Sequence, residues 1–158
     1  MNLQTIIKQI NKFLMLIAAS TLIISMVEAV INMVLRRLGQ PIQGSFEIMS
    51  FACAIISTLG LGYSQEQKAH INVDIIFRFF PIILKKFLRL IGNLMCSLFF
   101  LAISLRLFSL SMTYFYSGQL SETLRIPIYP ITFLVGMGFV SLSLTLLLES
   151  VILVINKD

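Results

Sequence analysis

The sequence predicts an all-α membrane protein with four transmembrane helices, short amphipathic helices in the membrane plane, and both termini in the cytoplasm. Composition predicts the membrane setting. Of the residues, 58% are hydrophobic and only 12% are charged, whereas ordinary soluble domains carry about 25% charged residues. Mean hydropathy is +0.95. The positions of lysine and arginine predict the orientation.

Four apolar stretches are long enough to cross a bilayer, since a span needs about 20 mainly apolar residues to cover roughly 30 Å of hydrocarbon. The predicted spans are residues 13–35, 46–63, 87–116 and 128–155. They leave little for a soluble domain, so we predict one membrane domain over residues 1–158. The first apolar run is too long for a signal peptide, and we expect it to be retained.

Two further segments are predicted to lie on the membrane surface. In residues 1–12, leucine and isoleucine recur at helical spacing, with Lys8 and Asn11 elsewhere on the helix. Residues 64–80 form the second segment, in which Asp74 stands four residues before Arg78, where the two can pair. A simple amphipathic linker is an equal alternative for these segments.

Basic residues are distributed unequally between the two sides of the predicted bundle. One side carries Lys8, Lys12, Lys68, Arg78, Lys85, Lys86, Arg89 and Lys157, and the other carries Arg36, Arg37 and Arg125. Because positively charged short loops stay in the cytoplasm, both termini and the second connection are predicted to be cytoplasmic. The net charge of +5 therefore reflects topology and anionic lipid, and no basic stripe indicates nucleic-acid binding.

Small and polar residues recur at helical spacing within three of the spans. They are Thr21, Ser25, Glu28, Asn32 and Arg36 in the first span, Ser50, Ser57, Gly60 and Ser64 in the second, and Gly138, Ser141, Thr145 and Glu149 in the fourth. Helices associate in bilayers through close packing of small residues and interhelical hydrogen bonds. We therefore expect these faces to meet other helices, either in this chain or in a partner.

Ionisable residues within spans need a partner, because a charge in the bilayer costs several kcal/mol. Glu28 and Arg106 lie at similar predicted depths in the outer half of the membrane, so we predict an ion pair between them, within the chain or through a partner. The alternative is a protonated Glu28 and an Arg106 that reaches outward. Glu149 lies near the cytoplasmic end, where Lys12 or the Lys85–Lys86 cluster could neutralise it.

Other candidate residues point to structural roles. Glu47 begins the second predicted span, where it can interact favourably with the positive end of that helix or meet Arg36 and Arg37 at the outer surface. His70 is the only histidine and is predicted to form hydrogen bonds at the interface. Cys53 and Cys96 lie within spans and form no CxxC motif. No catalytic, cofactor-binding or metal-binding constellation appears, so we expect no enzyme activity and no cofactor.

One family combines these features. Glu47, Gly60, the sequence His-Ile-Asn-Val-Asp at residues 70–74, and Pro81 follow one another in an order and spacing that resembles the small membrane subunit (DctQ type) of tripartite ATP-independent periplasmic (TRAP) transporters. The sequence Leu-Arg-Ile-Pro-Ile-Tyr-Pro at residues 124–130 resembles the entry into the last helix of that family.

The resemblance implies a non-catalytic scaffold subunit of a sodium-coupled importer of small organic anions in the bacterial inner membrane. Its partners would be a large multispanning TRAP membrane subunit, a periplasmic substrate-binding protein that docks transiently, and membrane lipids. The alternative is a small proton-coupled multidrug exporter that acts as a homodimer through Glu28. Glu28→Gln separates the two, because an exporter would lose all coupled transport.

Overall fold

Four long helices make up most of the chain that the structure describes. The computed structural model describes residues 3–67 and 82–155. The helices are α1 (Leu3–Arg37), α2 (Ser45–Glu66), α3 (Ile82–Ser117) and α4 (Tyr129–Ile155). Each is long and apolar enough to cross a membrane. The described residues contain no strand, which confirms the prediction of an all-helical protein with four long apolar helices.

α1 runs without interruption through the predicted surface segment and the predicted first span. Neither glycine nor proline occurs in Leu3–Arg37, so no residue favours a break. The orientation of its first turns relative to the membrane plane stays a prediction. Most of the second predicted surface segment, with His70 and Asp74, lies outside the described residues.

The helices pack as two pairs that are joined through α2 and α4. α1 packs against α2, α3 packs against α4, α2 packs against α4, and α1 makes a smaller contact with α4. The buried apolar cluster lies between the first two helices and consists of Leu14, Ala18 and Leu59, flanked by Ile17 and Ile55. α4 therefore contacts all three of the other described helices.

Two glycines permit the closest approaches between helices. A Cβ added to Gly138 on α4 would lie 2.6 Å from the carbonyl oxygen of Thr58 on α2. A Cβ added to Gly62 on α2 would lie 2.6 Å from the hydroxyl of Ser141 and 2.7 Å from Oδ1 of Asn11. Small residues let helix backbones approach in this way, which is a main source of helix association in membranes.

The connection between α3 and α4 is an ordered loop that folds back on itself. Leu120 and Pro127 form an isolated antiparallel bridge, and the amide of Ser121 donates to the carbonyl of Ile126 at 2.8 Å. The side chain of Leu124 covers Gly44, the residue before α2, whose φ of 78° and lack of a Cβ suit the contact. The loop therefore contacts the start of α2.

Candidate functional site: the polar contacts between helices

A ladder of serines joins α3 to α4. Ser97, Ser104 and Ser111 lie seven residues apart on α3, and their hydroxyls donate to the carbonyls of Ser143, Gly136 and Tyr129 at 3.1, 3.2 and 2.8 Å. The acceptors step back by seven along the antiparallel α4. Ser143 returns a bond to the carbonyl of Ser97 at 3.0 Å. We call these contacts the serine ladder. Its period is that of heptad packing, which fixes one register between the two helices.

Asn11 is the centre of a second network, which joins α1, α2 and α4. Its side chain is fully buried. Its amide nitrogen donates to the Thr145 hydroxyl at 3.0 Å and lies 3.4 Å from the Gly62 carbonyl. The Ser141 hydroxyl donates to its Oδ1. The sequence pattern placed Asn11 off the apolar face of the first segment, and these three groups draw its side chain into the bundle.

Two carboxylates lie at the same end of the bundle, where α1 begins. Glu66 Oε2 accepts from Asn11 at 3.3 Å, and Glu66 Oε1 lies 3.7 Å from the ammonium of the exposed Lys8. Glu149 Oε2 accepts from Gln65 at 2.8 Å and lies 3.5 Å from the amide nitrogen of Asn93. Glu149 therefore joins α4 to both α2 and α3 through neutral amide donors.

Glu28 and Asn32 lie at the opposite end, where they join α1 to the chain that leads into α2. Ser45 donates to Glu28 Oε1 at 2.6 Å and accepts from the Asn32 amide at 2.8 Å. Asn32 Oδ1 accepts from the backbone amide of Ile42 at 3.0 Å. The second oxygen of Glu28 is buried and has no hydrogen-bond partner among the described residues.

The predicted ion pair between Glu28 and Arg106 is not formed within the chain. Glu28 bonds Ser45, whereas Arg106 lies exposed on α3 in an open groove formed by that helix alone. The prediction matched the two residues by depth only. Depth does not specify which helices are neighbours, and α1 and α3 belong to different helix pairs.

Glu47 holds the loop between α3 and α4 against the start of α2; we call this loop the outer loop, after its predicted side of the membrane. Its Oε1 accepts from the backbone amide of Thr123 at 2.8 Å, and its Oε2 accepts from that of Leu124 at 3.1 Å. We call this pair of bonds the Glu47 clasp. Neither expectation for Glu47, a helix-end effect or a contact with Arg36, included these partners. The clasp supports the turn in which Arg125 adopts a φ of 56°, a left-handed conformation that is uncommon outside glycine.

The remaining candidates do not join these networks. Arg36 is exposed in the last turn of α1. Gly60 lies on α2 with open space where its Cβ would be, so none of the four described helices uses it for a close approach. Sequence reasoning missed the serine ladder and Asn11. The seven-residue spacing of the α3 serines was the signal that could have found the ladder.

These contacts define a class of protein: a helical membrane protein whose polar side chains hold its helices together. Over the described residues, no group of three or more histidine, cysteine, aspartate or glutamate side chains could hold a metal ion.

Comparison with known proteins gives the family. The chain matches the model of the family "Tripartite ATP-independent periplasmic transporters, DctQ component" over residues 25–156, and it belongs to that family, the small membrane component of TRAP transporters. No curated protein matches the chain. No solved structure matches it either.

Proposed function

We propose that the chain is the non-catalytic scaffold subunit of a sodium-coupled TRAP transporter that imports small organic anions across the bacterial inner membrane. Its partners are a large multispanning membrane subunit that carries the substrate and sodium sites, a periplasmic substrate-binding protein that docks transiently, and lipid at the subunit boundary. The family match supports the transporter assignment.

The observation that carries the scaffold role is how the described polar residues of the spans are used. Hydroxyls of serine and threonine and the amide of asparagine form hydrogen bonds between helices, in the serine ladder and around Asn11. Each described helix is continuous, whereas transport sites are typically built from interrupted helices whose free backbone groups coordinate substrate and ions. Rigid, continuous, cross-braced helices suit a part that stays still while another part moves.

Apolar surface supports the need for a partner. Large hydrophobic side chains along α1 and α3 are exposed in the isolated chain, among them Ile24, Met33, Met95 and Leu105. In the membrane, lipid and a large subunit would divide this surface between them. Nothing in the family match favours the exporter alternative, and Glu28 is engaged by Ser45.

The test is purification of the C-terminally tagged chain from its native membrane in mild detergent, with mass spectrometry of the proteins that accompany it. We expect one multispanning membrane protein in stoichiometric amount, and sodium-dependent uptake of an organic anion that requires both chains. Recovery of a homodimer alone, under lipid conditions that preserve complexes, contradicts the proposal. Glu28→Gln is the companion variant: it abolishes coupled transport by an exporter and leaves sodium-dependent uptake in a scaffold.

A further inference from the structure

We propose that the face of α3 centred on Arg106 is the surface that receives a partner transmembrane helix, and that an aspartate or glutamate on that helix pairs with the Arg106 guanidinium. The inference rests on the proposed function and adds the contact surface and the chemistry that it requires.

Arg106 points away from the rest of its own chain. Ser104, two residues earlier, is fully buried against Gly136 of α4. At 3.6 residues per turn, two residues place Arg106 roughly on the opposite side of α3. The side chain is exposed, and it takes no part in the hydrogen bonds or ion pairs found among the described residues.

The surroundings of Arg106 are apolar with small hydroxyls beside it. A groove of about 520 Å³ runs along this face, lined by Phe99, Ile103 and Leu110 and by Ser109 and Thr113. Bulky residues next to small ones form the kind of surface on which another helix can pack. Lipid chains would fill such a groove equally well if the charge were absent, so the charge decides between the two.

The position of Arg106 along α3 keeps its guanidinium from reaching the outer headgroups. Arg106 lies eight residues before Tyr114, a tyrosine typical of the membrane interface, and a rise of 1.5 Å per residue puts it ~12 Å deeper. Side chains on a helix lean toward its N-terminus. α3 begins on the predicted cytoplasmic side, so the Arg106 side chain leans into the membrane rather than toward the outer headgroups.

A guanidinium at this depth needs a negative partner, because an unpaired charge in hydrocarbon is strongly unfavourable. The two carboxylates nearest in predicted depth are already engaged: Glu28 with Ser45, and Glu47 with the outer loop. Arginine offers a planar fork of donors that fits a carboxylate bidentately. A carboxylate on a helix of the large subunit meets this requirement and fixes the position of that helix on α3.

Site-specific photo-cross-linking in native membranes tests the surface. The photoreactive residue replaces Leu110 on the Arg106 face, and the control replaces Leu105, which is 62% exposed on a different side of α3. We expect a discrete adduct from position 110 with the multispanning protein that copurifies with the chain, mapped to a helix that carries aspartate or glutamate. Position 105 should give no such adduct. An adduct of position 110 with lipid only overturns the proposal.

Charge variants test the pairing. Arg106→Glu should lower the amount of copurified large subunit about tenfold or more, because two like charges then meet in a desolvated contact. In the Arg106→Glu background, replacing the aspartate or glutamate on the cross-linked partner helix with arginine should restore copurification. Arg106→Leu should leave the thermal midpoint of the isolated chain unchanged or higher, which separates loss of docking from misfolding. If Arg106→Glu copurifies as much large subunit as the wild-type chain does, the pairing is overturned while the scaffold function stands. If no large subunit copurifies with the wild-type chain, both proposals are overturned.

Discussion

Asn11 illustrates how one polar side chain can hold three helices together. It is completely buried, and its two polar atoms are both used, by Thr145 and by Ser141. A buried amide without such partners would destabilise the fold, since an unmet hydrogen-bonding group costs about 1–3 kcal/mol. Gly62 leaves the space that the amide occupies. The contact thus depends on complementary residues from three separate parts of the sequence.

We expect Asn11→Leu to destabilise the isolated protein by about 1 kcal/mol, because interhelical hydrogen bonds in membranes contribute roughly that much and the serine and threonine hydroxyls lose a partner. For a chain of this size the thermal midpoint should fall by about 2–4 °C. Thermal unfolding in detergent measures it. Gln9→Leu is the control, since Gln9 is exposed two residues away on the same helix. Equal midpoints for the two variants would show that the network is energetically neutral.

Glu47 acts through backbone groups rather than through another charge. Its carboxylate accepts from the amides of Thr123 and Leu124, so Glu47→Ala should free both amides and raise their hydrogen-exchange rates several-fold. Glu47→Gln retains one acceptor oxygen and should give an intermediate rate. Glu122→Ala, on the exposed surface of the same loop, is the matched control. Unchanged exchange in Glu47→Ala would mean that the loop holds its shape without the clasp.

At the scale of helices, heptad spacing and small residues determine how neighbours fit. The serine ladder pairs positions seven apart on α3 with positions seven apart on α4. Gly138 brings the backbones of α2 and α4 together at Thr58. Each device needs a small residue facing a backbone: the ladder serines can be replaced by alanine more easily than by a bulky residue, whereas Gly138 leaves no room even for a Cβ.

The ladder predicts a graded response at Ser104. Ser104→Ala should cost roughly 0.6 kcal/mol, the average for a membrane interhelical hydrogen bond, whereas Ser104→Leu should cost about 1–3 kcal/mol because a fully buried site has no room for it. Ser20→Leu is the control, since Ser20 is exposed and bonds only within its own helix. The thermal midpoint of each purified variant is the measurement. Similar midpoints for Ser104→Leu and Ser20→Leu would argue against tight packing of α3 on α4.

A glycine pair gives the second prediction at this scale. Gly138→Leu should separate α2 from α4 and lower the thermal midpoint more than any single hydrogen-bond variant, because its Cβ alone would lie 2.6 Å from a carbonyl oxygen. Gly92→Ala on α3 meets nothing within 4 Å. It should be neutral or stabilising by about 0.5–1 kcal/mol, the usual gain from replacing a helical glycine. A stable Gly138→Leu would show that the helix pair can shift without cost.

Hydropathy and length predicted the helices well, and the contacts poorly. The predicted fourth span, residues 128–155, differs by one residue from Tyr129–Ile155, because a long apolar run has few alternatives. The contact between Glu28 and Arg106 is absent within the chain; its prediction used helical rise, which gives the depth of a residue but not which helices are neighbours. The partners of Asn11 were not predicted, because amphipathic spacing looks the same whether the polar face meets water or the polar groups of another helix.

At the scale of the whole molecule, the described residues form two helix pairs joined along α2 and α4, with a polar network at one end and the outer loop at the other. The distribution of lysine and arginine predicts the orientation of this bundle, since more basic residues lie at the end where α1 begins. We predict that both termini and the connection between α2 and α3 are cytoplasmic and that the clasped loop is periplasmic.

Reporter fusions check this orientation. A green fluorescent protein fused at the C-terminus should be fluorescent, because it folds in the cytoplasm, and alkaline phosphatase inserted at Glu122 should be active, because it folds only outside. The same two reporters inserted after Gln67 provide the control, with fluorescence and no phosphatase activity expected. The opposite pattern at these sites would show that the bundle has the inverse orientation, and the depth argument for Arg106 would then fail.

The Glu47 clasp also sets an order of events during synthesis. Its carboxylate is made 76 residues before the amide of Thr123 that it accepts from. In the predicted orientation, Glu47 reaches the periplasm with the first hairpin, and its partners follow only once α3 has crossed. The clasp therefore closes late, so a closed outer loop reports that the second helix pair has met the first.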